Sequence, residues 1–345
     1  LSVILVGWRR GDLIARRLAE LANWSQLRPQ VILVENEADQ GDGQPAPALP
    51  LIHLRNVRNE GFAWAANQGL AAASGTYALF LNPDCHMEEE CAQAMLAFLQ
   101  NRPDCALVGP RLLDGSGRPV AAARRSFALL RPIILDLLPL RHLHLLHPNL
   151  ANWSPNTAQK PQLASGVAPC LQGSALMGRR EEILALAGFD SRVPLYLDDM
   201  DLCLRFQARG QLSWFLSEKT AIHTGGASVE AMANPMLSSL VASMAADVFL
   251  LKHRGWFHLI LHHLILLTAA VVYLPINLLA FLMVPRRRTV LARYLVKHTW
   301  MLIYALSFFL APKKLPDHWP KSLAAALRRA RQDLPSAAQP FQLDQ

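Results

Sequence analysis

Charge is scarce in this chain of 345 residues: 17% are Asp, Glu, Lys or Arg, while 52% are hydrophobic. A disordered or coiled-coil chain needs far more charge, so neither is the main architecture. Cysteine is scarce as well. The five present (Cys85, Cys91, Cys105, Cys170, Cys203) are odd in number and form no CxxC pair. That excludes a disulfide scaffold and a structural zinc site, and it fits a reducing compartment. No GxGxxG follows the first apolar run, which disfavours a dinucleotide-binding dehydrogenase. No internal repeat is present. No secretory signal is expected, because Leu1 to Val6 reads as a strand with no basic lead-in or small-residue cleavage site. The excess charge is positive, 34 Lys and Arg against 26 Asp and Glu, which suits an anionic partner such as a nucleotide or acidic lipid. Nucleic acid is disfavoured, since the basic residues lie in apolar segments and not among aromatic and polar ones.

Short runs of Val, Ile and Leu stand at 2–6, 31–34, 51–54 and 77–81, with helical stretches at about 12–27, 62–73 and 88–100 between them. Such alternation predicts βαβ units and a mostly parallel sheet covered on both faces. Ligands of these sheets sit beyond the carboxyl ends of the strands. The segment 124–150 is Leu-rich and basic; it reads equally as a surface helix pair packed on the core and as a face resting on acidic lipid. Globular character returns at 171–209, with a helix over 179–187 capped by Gly188 and another running from Asp198 to Gly210.

Four constellations can carry chemistry. Asn82-Pro83-Asp84 follows a strand, where a carboxylate can hold a divalent cation against a diphosphate; the same tripeptide is also good turn chemistry. In Arg58-Asn59-Glu60-Gly61-Phe62, Gly61 permits a tight turn into a helix of small residues that carries Asn67. With Arg58 nearby, that helix N-terminus can attract a phosphate or nucleobase, or can simply be a capped helix. Asp198, Asp199 and Asp201 open a helix in which Asp201 and Arg205 are four apart and can pair. First-turn acids stabilise a helix dipole, yet the apolar lead-in Pro194-Leu195-Tyr196 can also desolvate one into a general base. Finally, His223 precedes Thr224-Gly225-Gly226, a loop able to approach a phosphate beside an imidazole able to ligate a metal.

In their order and spacing, the Asn36 turn, Asn59-Glu60-Gly61-Phe62, Asn82-Pro83-Asp84, Gly173-Ser174-Ala175, Gly188-Phe189-Asp190, the run Asp198 to Arg205, and His223 together resemble the inverting glycosyltransferases of family 2. The similarity is strongest to their rhamnosyltransferase-like branch, which builds bacterial cell-surface polysaccharides. It covers about 2–228 and implies a GT-A fold, an α/β sheet flanked by helices, over 1–230. It implies Asp84 and His223 as ligands of Mg²⁺ or Mn²⁺, with Asn82 standing where many members have a first Asp. It implies Asp199 as the base that deprotonates the acceptor hydroxyl, supported by Asp198, Asp201 and Arg205. Glu35 and Asn36 match the pair that reads base or ribose, although Glu35 is one methylene longer than the usual Asp; Arg58, Asn59, Gly61, Asn67 and Asn82 complete the donor side. The partners implied are a nucleotide-diphosphate sugar and a lipid-linked saccharide or polysaccharide acceptor. A cation at the diphosphate with a single base on the far side of the anomeric carbon gives in-line displacement and inversion. The alternative is a non-catalytic sugar-nucleotide-binding subunit of an envelope-assembly complex.

The segment 124–165 is expected to be a basic amphipathic insertion on the acceptor side, 231–315 a helical membrane-associating region, and 316–345 a polar helix and disordered tail. The run 256–284 is long enough for one membrane crossing and too short for two. A single crossing would carry Arg286, Arg287, Arg288, Arg293 and Lys297 outside, against the positive-inside tendency. Pro275 and Asn277 interrupt the run, where a helix can bend back. A re-entrant or interfacial hairpin on the cytoplasmic face of the cytoplasmic membrane is therefore expected, against a single span or a buried helix of a soluble dimer.

Overall fold

The computed structural model describes residues 1–37, 49–120, 123–124, 164–193, 195–225 and 237–310. The expected acceptor-side insertion at 124–165 and the tail at 316–345 lie almost wholly outside the described residues. The chain opens with β1 (Ser2–Trp8), α1 (Gly11–Ala22), β2 (Gln30–Asn36), β3 (Leu51–Asn56), α2 (Phe62–Ala72) and β4 (Tyr77–Leu81). Next come β5 (Cys85–Met87), α3 (Glu89–Asn101), β6 (Cys105–Leu113), β7 (Ala123–Arg124), β8 (Gly166–Val167), β9 (Cys170–Leu171), β10 (Ala175–Arg179) and α4 (Arg180–Ala185). After them lie α5 (Asp198–Gln207), β11 (Leu212–His223), α6 (Leu237–Arg254), α7 (Trp256–Met283) and α8 (Arg288–Leu310).

Val3, Ile4, Leu5 and the run Val31 to Val34 are all 0–1% exposed. Continuous burial on both faces is what selects a central parallel strand over an alternating one. The main sheet runs β3-β2-β1-β4-β10-β6-β11-β5, with β8 also on β11. β3, β2, β1 and β4 pair in parallel, and so do β6 and β11. β10 is antiparallel to β4 and to β6. Because Ala175 pairs with Leu81, the start of β10 lies against the carboxyl end of β4, and the turn before it is delivered to the sheet edge where ligands bind. The helix expected over 12–27 stops at Ala22, since the backbone N–H groups of Ser25, Gln26 and Leu27 donate to the Glu89 carboxylate instead. Gly188 does cap α4: with φ 68° it donates its N–H to Ile183 O at 2.9 Å.

The C-terminal helices form a second hydrophobic cluster around Leu240, Met244, Leu266, Tyr304 and Ala305. At the other end of α6, Phe249 belongs to the main core. One helix therefore joins both. A hydrogen-bonded knot ties the three helices: Asp247 of α6 meets His262 Nδ1 and His263 Nε2 of α7 at 2.9 Å each, and the Tyr304 hydroxyl of α8 donates to the same carboxylate. The bend expected at Pro275 and Asn277 does not occur there. α7 runs through Pro275, and Asn277 is buried beside His298 Nδ1 of α8 at 3.1 Å. The chain reverses later, in a 3₁₀ turn at Pro285–Arg287, after which α8 packs back along α7.

Candidate functional site

The turn at Gly173 and Ser174 links two parts of the site. The Asn82 N–H donates to Ser174 O at 2.9 Å, and the Gly173 N–H donates to Asp199 Oδ2 at 2.8 Å. A side chain at position 173 would stand 3.2 Å from the Asp199 Cβ, so glycine permits the close approach. The Asn-Pro-Asp turn and the acidic helix, more than a hundred residues apart, thus meet beyond the carboxyl end of β4. Ser174 is 3% exposed, and its Oγ has no hydrogen-bond partner among the described residues.

On one side of the turn, Asp84 Oδ1 lies 3.2 Å from His223 Nε2, their side chains 9% and 14% exposed. Pairing of β5 with β11 sets this meeting, because His223 registers with Cys85. The Thr224 N–H donating to Asp84 O at 3.1 Å fixes the backbone below it. The carboxylate oxygen is the hard ligand that Mg²⁺ or Mn²⁺ takes, and the imidazole nitrogen beside it offers a second, softer donor to a divalent cation.

On the other side, the chain enters α5 through Tyr196 and Leu197 at φ 67° and 61°, two consecutive side-chain-bearing residues in the left-handed region. Such residues cost of order 1–3 kcal/mol each and cluster where geometry serves function. The result is a helix that opens on its acids. Asp199 is half-buried, and its Oδ1 also accepts from the Met200 N–H at 2.7 Å, so both carboxylate oxygens are oriented by backbone donors. Asp198 is 7% exposed; burial, and then the charges of Asp199 and Asp201, push its carboxyl up to about 8. The two neighbours therefore divide: burial disfavours the charged form of Asp198, and Asp199 is the one half open to solvent.

Asp201, 1% exposed, accepts from Arg205 Nε at 2.7 Å, while Arg205 caps the Leu186 and Gly188 carbonyls at 2.6 Å each. Asp201 also meets Lys252 Nζ and His253 Nε2 of α6, both at 2.7 Å. Burial alone would raise the Asp201 carboxyl, but the His253 hydrogen bond and the Arg205 and Lys252 charges hold it low.

Residues expected on the donor side divide in the same way. Asn36, 3% exposed, donates to Gly61 O at 3.3 Å and accepts from Asn56 Nδ2 at 3.0 Å. Asn67 Nδ2 donates to Phe189 O, and Asn67 Oδ1 accepts from the Phe189 N–H, both at 2.8 Å. Both amides are engaged in the frame: Asn36 fixes the entry to α2, and Asn67 straps α2 to the Gly188-Phe189 turn. Glu35 pairs with His53, with Arg55 Nε 3.8 Å away. Asn59 Oδ1 accepts from the Gly61 N–H at 3.0 Å, and Gly61 holds φ 92° at the start of α2, a conformation that favours glycine. Arg58 is exposed beside them.

Residues 2–181 match the family model described as Glycosyl transferase family 2. The chain belongs to this family. The glycosyltransferase has a mixed sheet of the GT-A kind, and the match ends before α5, so Asp199, Asp201 and His223 lie beyond it. It is 24% identical over 277 residues to the N-acetylglucosaminyl-diphospho-decaprenol L-rhamnosyltransferase of Mycobacterium tuberculosis (strain ATCC 25618 / H37Rv), covering 74% of this chain and 86% of that protein. It is 30% identical over 148 residues to the putative polypeptide N-acetylgalactosaminyltransferase 13 of Drosophila melanogaster, covering 43% of this chain and 25% of that one. Among solved structures, the mannosyltransferase PcManGT of Pyrobaculum calidifontis in complex with GDP-Man and Mn²⁺ is similar at TM-score 0.45 and 14% identity, over 91% of this chain and 87% of that one.

Residues that the sequence did not single out complete the hydrogen-bonded frame around these side chains. Lys252 and His253 hold Asp201, Asn56 and Gln68 complete the Asn36 knot (Asn56 Nδ2 donates to Gln68 Oε1 at 2.8 Å), and Lys252 Nζ also reaches Asp190 Oδ2 at 2.7 Å. Among the described residues, the one trio of clustered metal-type donors is Asp247, His262 and His263, and it lies in the C-terminal helices apart from Asp84.

Proposed function

We propose that this glycosyltransferase transfers a sugar, with inversion, from a nucleotide-diphosphate donor to a hydroxyl of a lipid-linked saccharide or polysaccharide in cell-envelope glycan synthesis. The observation that carries the reading is the Gly173-Ser174 turn, which hydrogen-bonds Asp199 at one end and the Asn82-Pro83-Asp84 turn at the other. Asp199, oriented by two backbone N–H groups, takes the proton of the acceptor hydroxyl. Burial disfavours the charged form of its neighbour Asp198, which limits the negative charge where that proton must be received. Asp84 and His223 would hold Mg²⁺ or Mn²⁺, whose charge offsets that of the leaving diphosphate. Glu35, Arg58, Asn59, Gly61 and Asn82 line the donor side, while Asn36 and Asn67 keep it in register. The name of the mycobacterial relative, which denotes rhamnosyl transfer to N-acetylglucosaminyl-diphospho-decaprenol, supports a lipid-linked acceptor.

We further propose that the α7–α8 hairpin attaches the enzyme to the cytoplasmic membrane face. Among the described residues, α7 is the one helix long and apolar enough to cross a membrane, with mean hydropathy 2.3 and 28% burial over its most apolar stretch. Leu278, Leu279, Leu282 and Met283 are each more than half exposed, and Arg286, Arg287 and Arg288 follow at the turn. An apolar face ending in cations suits the interface of an anionic leaflet.

Turnover of a nucleotide-sugar panel with and without Mn²⁺, and the anomeric configuration of the product, test the catalytic reading. Donor binding without turnover on any lipid-linked acceptor would favour the non-catalytic subunit instead.

A further inference from the structure

α6 stands outside the sheet and carries no residue of the donor or acceptor side, yet its last turn reaches the acidic helix. Asp201 is buried two residues after Asp199, and its carboxylate is filled from two directions. From its own helix, Arg205 binds Oδ2; from α6, Lys252 and His253 both bind Oδ1 at 2.7 Å. Lys252 also holds Asp190 Oδ2 at 2.7 Å, and Arg192 binds both oxygens of that carboxylate, Nη2 on Oδ2 and Nε on Oδ1. On its own helix the acids Asp198 and Asp199 precede it, and the charge of Asp201 bears on Asp198. His253 packs against Phe249, which sits in the main core, whereas Leu240 and Met244 of the same helix belong to the C-terminal cluster.

We propose that Lys252 and His253 are positioning residues for the catalytic base, so that α6 makes the seating of the C-terminal helices a condition of full activity. The inference rests on the assignment of Asp199 as base. Asp201 lies on the same helical turn as Asp199, and its two oxygens are pinned from two different helices, Oδ2 from α5 and Oδ1 from α6. Releasing the α6 side lets the start of α5 rotate about the Arg205 anchor and moves the Asp199 carboxylate off its line to the acceptor. Misplacement by about 1 Å at a reacting group can cost roughly 10²-fold. Charge matters as well as position. Without Lys252, the negative charge of Asp201 is less compensated beside Asp198 and Asp199, and that acidic pair gives up protons less readily.

The test uses the full-length enzyme in detergent or lipid, with Lys252→Met and His253→Phe each compared with the retaining variants Lys252→Arg and His253→Gln. The expected result is a fall in kcat of roughly tenfold to a hundredfold in the first two variants. The donor KM should stay within about twofold, because no donor-side residue is touched. In Lys252→Met the acid limb of the kcat profile should move to higher pH, a shift that loss of stability alone would not produce. The retaining variants should recover most of the rate; if Lys252→Met does not fold, the contrast of His253→Phe with His253→Gln decides alone. Asp199→Asn is run beside them. An inactive Asp199→Asn together with wild-type kcat and pH profile in folded Lys252→Met and His253→Phe would overturn this inference and leave the base standing. An active Asp199→Asn would overturn both.

Discussion

Asp199→Asn exchanges one oxygen for an amide nitrogen, and the structure sets the size of two separate effects. The carboxylate accepts the Met200 N–H at 2.7 Å on Oδ1 and the Gly173 N–H at 2.8 Å on Oδ2. An amide has one oxygen, so it satisfies one of these donors and turns its NH₂ toward the other. One backbone N–H loses its carboxylate acceptor at a half-buried site, which costs about 1–3 kcal/mol of stability. The catalytic effect is larger. A general base contributes about 10²–10⁴-fold, equivalent to about 2.7–5.4 kcal/mol of barrier at 1.36 kcal/mol per decade. The variant should therefore fold, bind donor with wild-type affinity by titration calorimetry, and transfer sugar at least about a hundredfold more slowly. Removing the Asp199 charge also removes the second cause of the raised Asp198 carboxyl, so Asp198 should titrate lower in the variant. Retention of more than roughly a tenth of wild-type transfer, in folded protein, would refute the base assignment.

Asp84→Ala should abolish the Mn²⁺-dependent part of donor affinity, and His223→Ala should weaken it; calorimetry with and without metal reads both, and unchanged affinity in Asp84→Ala with metal present would end the metal role. Asp198, buried with its carboxyl raised to about 8 from an ordinary 3.8, binds a proton in the folded state that the unfolded chain releases. Its contribution to stability is therefore full below about pH 4 and is lost as pH rises toward about 8. Asp198→Asn should flatten that slope in denaturant melts across the range, and an unchanged slope would show that Asp198 is not the proton-binding group. Full-length protein should require detergent for extraction. Since all five native cysteines are buried, Arg287→Cys gives a nearly background-free label; modification by an impermeant reagent outside intact cells would defeat the hairpin.

The parallel half of the sheet was legible because burial on both faces leaves its mark in composition. Val31, Ile32, Leu33 and Val34 are all apolar because each face is covered. β10 and β11 were not legible in the same way. Ala-Leu-Met-Gly-Arg over Ala175–Arg179 is too short and mixed to show its pairing, and β11 breaks register between Leu216 and Thr220. The reversal in the C-terminal region was anticipated, but at the wrong residue. Proline within a helix removes one backbone hydrogen bond, and in α7 the packing of Asn277 and Tyr273 against His298 of α8 keeps the helix running.

In the site, residue type was legible and commitment was not. Asn36 and Asn67 are polar residues in positions suited to a ligand, but a polar side chain near a strand's end has two possible uses, and the backbone competes for it. Asn67 finds that competitor in Phe189, 122 residues later, where one amide satisfies both the N–H and the C=O of a single residue. Nothing within a helical turn of Asn67 signals this, because the partner depends on how α2 docks. The acids of α5 follow the same principle with the opposite outcome. Their adjacency is written in the sequence, and so is their competition for charge. Which of the two is disfavoured as a carboxylate follows a difference in burial between neighbouring residues, which goes with the left-handed turn at Tyr196 and Leu197 and with the Gly173 N–H. Two identical side chains are thus given different surroundings by the backbone that carries them, and two residues further along the same helix Asp201 is held from α6 by Lys252 and His253.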